Sequence, residues 1–465
     1  MPHASFHQQR KALESGDKTM TQLMQEYLKG LQKAKGYNAY IETYETEAWS
    51  YAAQIDEKIK NEVPLRPLEG LVISVKANIA VTGKNTSAAS KMLADYRSPY
   101  MATCIDRLVK EGAFIIGITN CDEFGMGSSS ENSHYGPVRN AIDPDFVPGG
   151  SSGGAAVAVQ THSCQIAIGS DTGGSVRQPA AFCGVYGFKP SYGRISRYGL
   201  LAYASSFEQI GFLSQTPEDI SLLMQYTAGP DEYDATCLPK KEIVNSSKNY
   251  RVAYPPACYD KENEYTNACK NLLEDIFGDH LHEVTLPFVD KLIPCYYILT
   301  TAEASSNLGR YDGIRYGHRS MEKGPINEFY SKNRTEGFGY EVKKRILVGS
   351  FVLSSGYFDA YYLKAQSIRD RIKAAMELIF DQYDFVVLPT SPTPPWQIGD
   401  KERPESMNYL ADIYTVLANI IGSPAIHVPF KVKNSKWPNG FQILARPGED
   451  EKIFDFLAQY SEKIR

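Results

Sequence analysis

The chain has 465 residues and a formal net charge of −5, since 49 lysines and arginines stand against 54 aspartates and glutamates. Hydrophobic residues make up 43% and charged residues 22%, values that are typical of a globular protein and exclude an intrinsically disordered chain. No apolar run approaches the roughly 20 residues of a membrane-spanning helix, and the nearly balanced charge argues against direct nucleic-acid binding, which favours a strongly basic surface.

The first sixty residues predict a polar, helical segment. Apolar side chains recur at helical spacing over residues 20–31 and again over residues 44–59. No acidic residue precedes Glu14 and no apolar core of a secretory signal is present, which leaves room for a short organellar leader. We therefore treat residues 1–60 as a helical segment that packs on a domain formed by residues 61–465.

From residue 71 the predicted structure changes from polar helices to apolar strands that alternate with helices. Residues 71–75 predict a buried strand that ends on Lys76, residues 104–112 an amphipathic helix, and residues 114–118 a second apolar strand. A strand, a helix and a strand within some fifty residues are typical of a parallel α/β sheet. Residues 165–168 predict a further strand of the same kind.

The second half of the chain continues this alternation. Thr216 and Pro217 form a typical helix start, a hydroxyl followed by a proline at the first helical position. A long helix is predicted over residues 358–382. Five apolar strands are predicted at residues 251–254, 283–286, 385–388, 425–428 and 441–444. Because no repeat or flexible linker interrupts the pattern, we expect one large α/β domain with a mixed central sheet flanked by helices on both faces.

The cysteines and histidines do not indicate a metal site. The eight cysteines are scattered and none forms a Cys-x-x-Cys pair, so we expect reduced, buried thiols. His280 and His282 lie close together, but they have no further ligands nearby, and an exposed turn after Gly278 explains them. We therefore expect no metal in this chain.

Glycine is densest in two runs, Pro-Gly-Gly-Ser-Ser-Gly-Gly-Ala at residues 148–155 and Gly-Ser-Asp-Thr-Gly-Gly-Ser-Val-Arg-Gln-Pro at residues 169–179. Neither run contains a nucleotide-binding P-loop or a GxGxxG pattern, so ATP binding through these motifs is not expected. Residues 150–154 match the GxSxG elbow of hydrolases with Ser152 at the centre, but that motif must follow a buried strand and the preceding residues are polar. The late histidine that the elbow would need, His427, lies in an apolar run typical of the core.

Serine and lysine together offer a third interpretation of these runs. A serine hydroxyl becomes a good nucleophile only when a nearby base accepts its proton. Lys76 ends an apolar strand, where burial would lower the pKa of its amine and let it act as that base. Gly173 and Gly174 precede Ser175 and leave N–H groups for a developing oxyanion, each such donor being worth about 3–4 kcal/mol in the transition state.

These runs resemble the hallmark of the amidase signature family, a Gly-Gly-Ser-Ser-Gly-Gly run followed by a Gly-Gly-Ser nucleophile. The spacing agrees with the family, because Ser175 lies 24 residues after Ser151, which lies 75 residues after Lys76. The resemblance implies that Ser175 attacks an amide carbonyl, and that Ser151, preceded by a cis peptide bond, relays a proton between Lys76 and Ser175. It also implies an oxyanion hole lined by the backbone amides of Thr172, Gly173 and Gly174.

For two groups of polar residues near these motifs we expect a structural role. Asp171 and Arg177 flank the nucleophile, and we expect them to pair with each other and hold the loop. Residues 128–130, three serines, predict a polar surface loop that could also line a pocket.

Beyond the signature, the chain resembles the glutamine-hydrolysing A subunits of glutamyl-tRNA(Gln) amidotransferases over nearly its whole length. The resemblance implies that Arg345 binds the α-carboxylate of glutamine, for which a planar guanidinium is well suited, and that Asp412 binds the α-ammonium. It places Met126 and Gly127 in the wall of the substrate pocket. Ser152 has two interpretations: it steers the substrate, or it only satisfies backbone groups. The matching stretches are residues 119–127, 131–133, 302–308, 310–313, 342–347 and 355–362.

The resemblance also implies a reaction and a set of partners. Glutamine is hydrolysed to glutamate and ammonia through a glutamyl ester, and the ammonia passes to a B subunit, which uses ATP and Mg²⁺ to amidate Glu-tRNA(Gln). A small third subunit is expected as well, and tRNA contacts the complex mainly through the partner. No cofactor is expected in this chain.

Some residues depart from the family pattern. Ala77 follows Lys76 where bacterial versions usually have Asp, and Cys121 replaces a usual methionine. These departures suggest a divergent, fungal-type copy in the mitochondrial matrix, with a bacterial cytoplasmic protein as the alternative. Two other functions remain compatible with the sequence: a stand-alone amidase acting on a small amide, which does not need Arg345, and a noncatalytic scaffold, which does not need Ser175.

Overall fold

Eleven strands form one sheet in the part of the chain that the structure describes. The computed structural model describes residues 4–239, 249–260, 262–322, 324–432 and 435–464. The strands are β1 (Tyr40–Thr43), β2 (Val72–Lys76), β3 (Phe114–Thr119), β4 (Ile166–Asp171), β5 (Tyr186–Lys189), β6 (Gln209–Ser214), β7 (Val252–Tyr254), β8 (Leu281–Glu283), β9 (Phe385–Pro389), β10 (Ala425–Lys431) and β11 (Pro438–Ala445). Their order across the sheet is β1-β3-β2-β4-β6-β5-β10-β11-β9-β7-β8.

The sheet is mixed, as predicted. β2 pairs in parallel with β3 and β4, and β7 pairs in parallel with β8 and β9, whereas the other neighbours are antiparallel. Lys76, the last residue of β2, lies opposite Thr119, the last residue of β3. The carboxyl ends of β2, β3 and β4 therefore meet at one end of the sheet, the place where α/β proteins typically bind ligands.

Helices cover both faces of the sheet, which is also as predicted. Successive residues of β2 point to opposite faces: Val72 joins a core cluster built with residues of α2, α3 and α5, and Ile73 joins the larger cluster on the other side. A π-helix, Phe358–Leu363, leads into α12. The α-helices are α1 (Phe6–Glu14), α2 (Met20–Gly36), α3 (Glu45–Lys60), α4 (Thr103–Lys110), α5 (Gly153–Gln160), α6 (Arg177–Cys183), α7 (Pro217–Thr227), α8 (Glu264–Phe277), α9 (Leu292–Asn307), α10 (Ile326–Gly337), α11 (Tyr340–Val352), α12 (Lys364–Phe380), α13 (Glu405–Leu410), α14 (Val416–Ile421) and α15 (Asp450–Ile464).

The structure departs from the predicted elements at a few places. β1, β5 and β6 are absent from the predictions; β1 is only four residues long and partly polar, while β5 and β6 contain Gly187 and Gly211, which weaken a strand pattern. Because β1 pairs with β3, the N-terminal segment contributes a strand to the central sheet as well as helices. β8 begins two residues before the predicted strand, and α7 begins at Pro217 as predicted, although the Thr216 side chain makes no capping hydrogen bond.

The described residues form neither a membrane-spanning helix nor a cluster of metal-binding side chains. None of the described helices combines the length and the apolar character that crossing a bilayer demands. Within the same residues, no group of three or more histidine, cysteine or acidic side chains is placed to hold a metal ion. The eight cysteines are all free thiols, and seven of them are buried.

Candidate active site

Lys76 reaches from the carboxyl end of β2 into a ring of serine hydroxyls. Its side chain is fully buried, and its Nζ lies 2.7 Å from Ser151 Oγ, 2.9 Å from Ser152 Oγ and 3.0 Å from Ser170 Oγ. Ser170 belongs to β4, the parallel neighbour of β2, so the sheet itself brings two members of this ring together. The structure thus places Lys76 in direct contact with Ser151.

Burial gives this lysine the character of a base. Its three hydrogen-bond partners among the described residues are neutral hydroxyls, and none of them is a carboxylate that would hold the ammonium form. Burial lowers the pKa of Lys76 below its ordinary value, and the negative charges of Asp122 and Asp171 oppose that shift only in part. A neutral amine that accepts a proton from Ser151 is therefore accessible.

The peptide bond between Gly150 and Ser151 is cis, as the resemblance implied. Gly150 admits no side chain, since a Cβ there would lie 2.5 Å from the Ser129 backbone nitrogen and would also strike the Asp122 carboxylate. The backbone carbonyl of Ser151 accepts a hydrogen bond of 3.2 Å from the Asp122 N–H. The loop before α5 is thus held on its inner side by residues that follow β3.

Ser175 lies in the second glycine-rich loop, at the surface of the same site. Its backbone carbonyl accepts a hydrogen bond of 3.0 Å from the Ser152 N–H, which ties the two glycine-rich loops together. The residue is half-buried, and its hydroxyl makes no hydrogen bond to any residue that the structure describes. No hydrogen bond within the described part of the chain therefore fixes the direction of this hydroxyl.

The Asp171–Arg177 pair holds this second loop, so the predicted pairing is confirmed. Two guanidinium nitrogens of Arg177 lie 3.0 and 3.1 Å from the two carboxylate oxygens of Asp171, with both side chains fully buried. Burial alone would raise the pKa of Asp171, but the adjacent guanidinium lowers it to about 2. The charged carboxylate then accepts the N–H groups of Gly174 and Val176.

That contact corrects the predicted oxyanion hole. The Gly174 N–H donates to Asp171 Oδ1 at 2.9 Å, so it is not available to a developing oxyanion. The N–H groups of Thr172 and Gly173 have no acceptor among the described residues, and they remain the candidate donors. Glycine is required at 173 because a Cβ would lie 2.5 Å from the Tyr296 hydroxyl oxygen, and at 174 because φ is +130°.

Arg345 presents a buried positive charge on the inner face of α11. Its Nη1 donates to the Tyr203 hydroxyl at 2.8 Å and its Nε donates to Glu341 at 2.8 Å. Its guanidinium carbon lies 5.3 Å from the ring centre of Tyr203 and 5.2 Å from that of Tyr297. Aromatic rings hold a guanidinium in place while leaving donors free for a ligand.

Asp412 supplies a buried carboxyl group in the same region. Its Oδ2 accepts a hydrogen bond of 2.5 Å from Ser128 Oγ, whereas its Oδ1 is buried and has no partner among the described residues. Burial raises the pKa of Asp412 to about 7, and the Ser128 hydroxyl and the Arg345 charge oppose that rise. Thr415 links Asp412 to the oxyanion loop, residues 172–174. The Thr415 hydroxyl donates to the backbone carbonyl of Gly173 at 2.7 Å and to the backbone carbonyl of Asp412 at 3.1 Å.

Two of the predicted pocket residues are fully buried. Ser152 accepts a hydrogen bond from Lys76 and donates one to the Ser170 carbonyl, so it supports the lysine and satisfies a backbone group, and its contact with substrate stays a prediction. The Met126 side chain is also fully buried and packs in the hydrophobic core. Gly127 is partly exposed, and its role as pocket wall stays a prediction.

His427 is a core residue, as predicted, and not a catalytic base. It is fully buried in β10, and its Nδ1 lies 2.6 Å from the Thr390 hydroxyl. Burial lowers its pKa to about 3, so the ring stays neutral at physiological pH.

Several residues of the site escape sequence reasoning. Ser170 and Asp122 lie at or just beyond the ends of parallel strands, a signal that could have singled them out. The aromatic and hydroxyl groups that surround Arg345 and Asp412 come from distant parts of the chain and carry no such signal. They are Tyr203, Tyr296, Tyr297 and Thr415. Ser128, which also contacts Asp412, belongs to the serine loop of residues 128–130; this loop is buried, so the expected surface loop is wrong.

Comparison with known proteins matches this arrangement to a family. The model of the Amidase family matches residues 22–454. The chain belongs to the amidase family. The A subunit of glutamyl-tRNA(Gln) amidotransferase from Chlorobaculum tepidum is 44% identical over 466 residues, which cover 97% of this chain and 96% of that protein. The protein of the same name from Legionella pneumophila is 41% identical over 474 residues, which cover 99% and 97%.

Solved structures of the amidase family have the same fold. The crystal structure of the glutamyl-tRNA(Gln) amidotransferase A subunit from Thermotoga maritima superposes with a TM-score of 0.74 at 34% identity, covering 94% of this chain and 90% of that one. A crystal structure described as an amidase reaches a TM-score of 0.82 at 29% identity and covers 99% of both chains. The single-domain architecture with a large mixed sheet is thus that of the amidase family.

Proposed function

We propose that this amidase-family chain is the glutamine-hydrolysing component of a glutamyl-tRNA(Gln) amidotransferase. The observation that carries the proposal is the buried guanidinium of Arg345 together with the buried carboxyl group of Asp412, which Thr415 connects to Gly173 in the loop before Ser175. A free amino acid carries one carboxylate and one ammonium, and few other amides need both partners. The names of the most similar relatives agree with this assignment.

Glutamine would bind with its α-carboxylate on the free guanidinium donors of Arg345. Its α-ammonium would donate to Asp412 Oδ1, the buried oxygen that has no partner among the described residues. Thr415 connects Asp412 to Gly173, so the ammonium site and the oxyanion loop are held at a fixed separation. The side-chain amide would then reach Ser175, since binding energy at one end of a substrate orients the other.

Neutral Lys76 would start the reaction. Lys76 takes the proton of Ser151, Ser151 takes that of Ser175, and the Ser175 oxygen bonds to the amide carbon. The N–H groups of Thr172 and Gly173 stabilise the resulting oxyanion. Collapse breaks the carbon–nitrogen bond, with the proton returning through Ser151 to the leaving nitrogen, so that ammonia departs. Water, activated along the same path, then hydrolyses the glutamyl ester to glutamate and free Ser175.

The ammonia would serve a partner B subunit that uses ATP and Mg²⁺ to amidate Glu-tRNA(Gln), with a small third subunit in the complex. A separate synthetase component is in keeping with a sequence that has no P-loop and no strongly basic composition. Co-purification from the native source, followed by a glutamine-dependent Glu-tRNA(Gln) amidation assay, tests the proposal. A purified complex that hydrolyses other amides but leaves glutamine untouched would contradict it.

Arg345→Ala should lower kcat/KM for glutamine by about 100-fold, mainly through a higher KM, because the substrate carboxylate loses a buried charged partner. Steady-state glutaminase kinetics measure the effect. Lys344→Ala is the matched control, since Lys344 also pairs with Glu341 but lies on the more exposed side of α11. Unchanged glutamine turnover in Arg345→Ala would favour a stand-alone amidase acting on a small amide.

The outer face of α11 is a candidate surface for the B subunit. Leu347 is 70% exposed, and Val348 and Phe351 are also exposed, while Arg345 and Val352 on the opposite face are buried. The Phe351 ring lies 4.1 Å from the ring of Tyr357, which extends the apolar surface onto the segment before the π-helix. Apolar surface of this kind, on a chain whose relatives are named as subunits, indicates a protein contact.

Replacing both Leu347 and Phe351 by Glu should abolish co-purification with the B subunit while leaving the melting temperature unchanged. Charged side chains on an apolar interface cannot be desolvated without loss of binding. Leu378→Glu, at a similarly exposed leucine on α12, serves as control. Size-exclusion chromatography of the co-expressed proteins gives the answer, and a double variant that still elutes as a complex would place the interface elsewhere.

A further inference from the structure

Asp122 is a buried carboxylate that the proposed reaction does not use. It lies three residues beyond the end of β3, next to the carboxyl end of β2, and its side chain is fully buried. Its pKa is raised to about 6 by burial, which the N–H donors of Ser130 and Asn132 oppose. No described lysine, arginine or histidine forms an ion pair with it, and a buried charge without a counter-ion is destabilising. A buried carboxylate such as Asp122 therefore calls for a structural or functional role that offsets this cost.

The carboxylate and the backbone N–H of Asp122 form hydrogen bonds to the segments around Ser151, whereas its carbonyl accepts the Gly125 N–H. Its two carboxylate oxygens accept the N–H groups of Ser130, at 2.9 Å, and Asn132, at 3.1 Å. Its own N–H donates to the Ser151 carbonyl at 3.2 Å. One residue therefore grips both the loop of residues 128–132 and the backbone of Ser151.

Ser130 forms a second connection between the same groups. Its N–H is held by the Asp122 carboxylate, its Oγ donates to the Ser151 carbonyl at 3.4 Å, and the same Oγ accepts the Gly153 N–H at 3.0 Å. The Ser151 carbonyl thus receives two hydrogen bonds, and both come from groups fixed by Asp122. Loss of the carboxylate would free the Ser130 N–H and so loosen the Ser130 hydroxyl that donates to the Ser151 carbonyl, whereas the backbone N–H of Asp122 would remain.

Close packing leaves this carboxylate a single position. A Cβ at Gly127 would lie 2.5 Å from Asp122 Oδ1, and a Cβ at Gly150 would strike Oδ2. The carboxylate therefore lies directly against the Cα of Gly150, the residue whose peptide bond to Ser151 is cis. A shift of Asp122 is transmitted to Ser151, whose Oγ lies 2.7 Å from Lys76 Nζ and has to stay there.

We infer that Asp122 is a positioning residue for the proton relay: it holds the Ser151 backbone so that the Ser151 hydroxyl stays between Lys76 and Ser175. The inference rests on the proposed function only because one of its two tests measures the hydrolysis of glutamine. It assigns Asp122 an effect on the rate of serine attack and none on glutamine binding, which depends on Arg345 and Asp412.

The test compares Asp122→Asn with Asp219→Asn. The amide introduced by Asp122→Asn would keep the shape of the side chain but aim an NH₂ group at one of two N–H donors, which breaks a hydrogen bond. Asp219 is a similarly buried acid that accepts the Phe6 N–H at 2.7 Å, and it contacts α1 instead of the site. Both variants are purified in the full chain with its partner and compared with the wild type.

Two rates are measured: glutamine hydrolysis, and covalent labelling of Ser175 by a fluorophosphonate, which reports serine attack whatever the natural amide is. In Asp122→Asn we expect kcat and the labelling rate constant to fall about 100-fold, with KM for glutamine changed less than twofold. Asp219→Asn should keep both rates, even if its melting temperature falls as far. Wild-type protein that labels but does not hydrolyse glutamine would refute the proposed function and leave this inference testable by labelling.

Ser130→Ala keeps the test decisive if Asp122→Asn does not fold. It removes only the hydroxyl that contacts the Ser151 carbonyl, and we expect about a tenfold fall in both rates with KM unchanged. The inference is overturned if Asp122→Asn folds and labels Ser175 within threefold of the wild type, if its loss appears in KM instead of kcat, or if Ser130→Ala has wild-type rates when Asp122→Asn cannot be purified.

Discussion

Ser175→Ala should reduce glutamine hydrolysis by at least about 10⁴-fold in kcat, because no other group can form the acyl bond at that point of the site. The half-buried Ser175 hydroxyl has no hydrogen-bond partner among the described residues, so its removal leaves no unpaired group behind. Its backbone carbonyl still accepts the Ser152 N–H, so the loop should keep its shape. A tenfold change in rate corresponds to about 1.4 kcal/mol, so the expected loss is about 5.5 kcal/mol of transition-state stabilisation.

Steady-state kinetics and trapping of the intermediate check this prediction together. Acid quenching of the wild-type enzyme with glutamine, followed by peptide mass spectrometry, should find the glutamyl group on the peptide that contains Ser175. Ser305→Ala, at a half-buried serine on α9 whose hydroxyl only caps a helix carbonyl, is the control and should keep full activity. Activity that survives Ser175→Ala would remove the nucleophile assignment, and wild-type complex without any amidase activity would favour a noncatalytic scaffold.

Lys76→Arg should be nearly as inactive as Lys76→Met, with kcat about 10³- to 10⁴-fold below the wild type. An arginine keeps the positive charge and can donate to the same serine hydroxyls, but it cannot lose a proton and so cannot act as the base. If Lys76 were only a positive charge that positions Ser151, the arginine would restore part of the rate. The comparison of the two variants therefore separates a base from a positioning cation.

The pH dependence of the wild type provides the second readout for Lys76. Lys76 acts in its neutral form, so kcat rises with pH as the amine loses its proton. Because burial lowers the pKa of Lys76, this rise should occur at a lower pH than the ordinary pKa of a lysine would give. The ordinary pKa of a lysine is about 10.4. Stopped assays of kcat between about pH 5 and 10 measure the rise. A kcat that falls as the pH increases through this range would contradict the role of Lys76 as a base.

Much of the fold follows from local sequence. β2, β3 and β4 are continuous apolar runs because a parallel sheet is buried on both faces, and α4 shows its amphipathic pattern because one of its faces stays in water. β1 escaped prediction for a physical reason: its four residues are stabilised mainly by pairing with β3, which lies more than seventy residues away. Pairing of that kind leaves no periodic pattern in a short, half-buried strand.

The site divides in the same way. Ser151, Ser175 and Lys76 can be recognised in the sequence because glycine-rich loops and the end of a buried strand have distinctive local sequence patterns. The position of Gly174 before Ser175 predicts that its N–H lines the oxyanion hole, yet this N–H donates to the Asp171 carboxylate. Which of two neighbouring amides is free depends on where a third side chain points, and the spacing of residues does not contain that information.

The sequence by itself determined the α/β class, the serine–lysine chemistry and the family, because steric limits on glycine and burial of strands act through neighbouring residues. Only the tertiary structure decided where each group lies and which neighbours it contacts. In the tertiary structure Ser152 contacts Lys76 and Met126 packs in the hydrophobic core. One oxygen of Asp412 has no partner among the described residues, and the Asp122 carboxylate lies against Gly150, which precedes the cis peptide bond. These outcomes depend on contacts between segments as far apart in the chain as Ser128 and Asp412, where the local sequence of either segment does not specify the other.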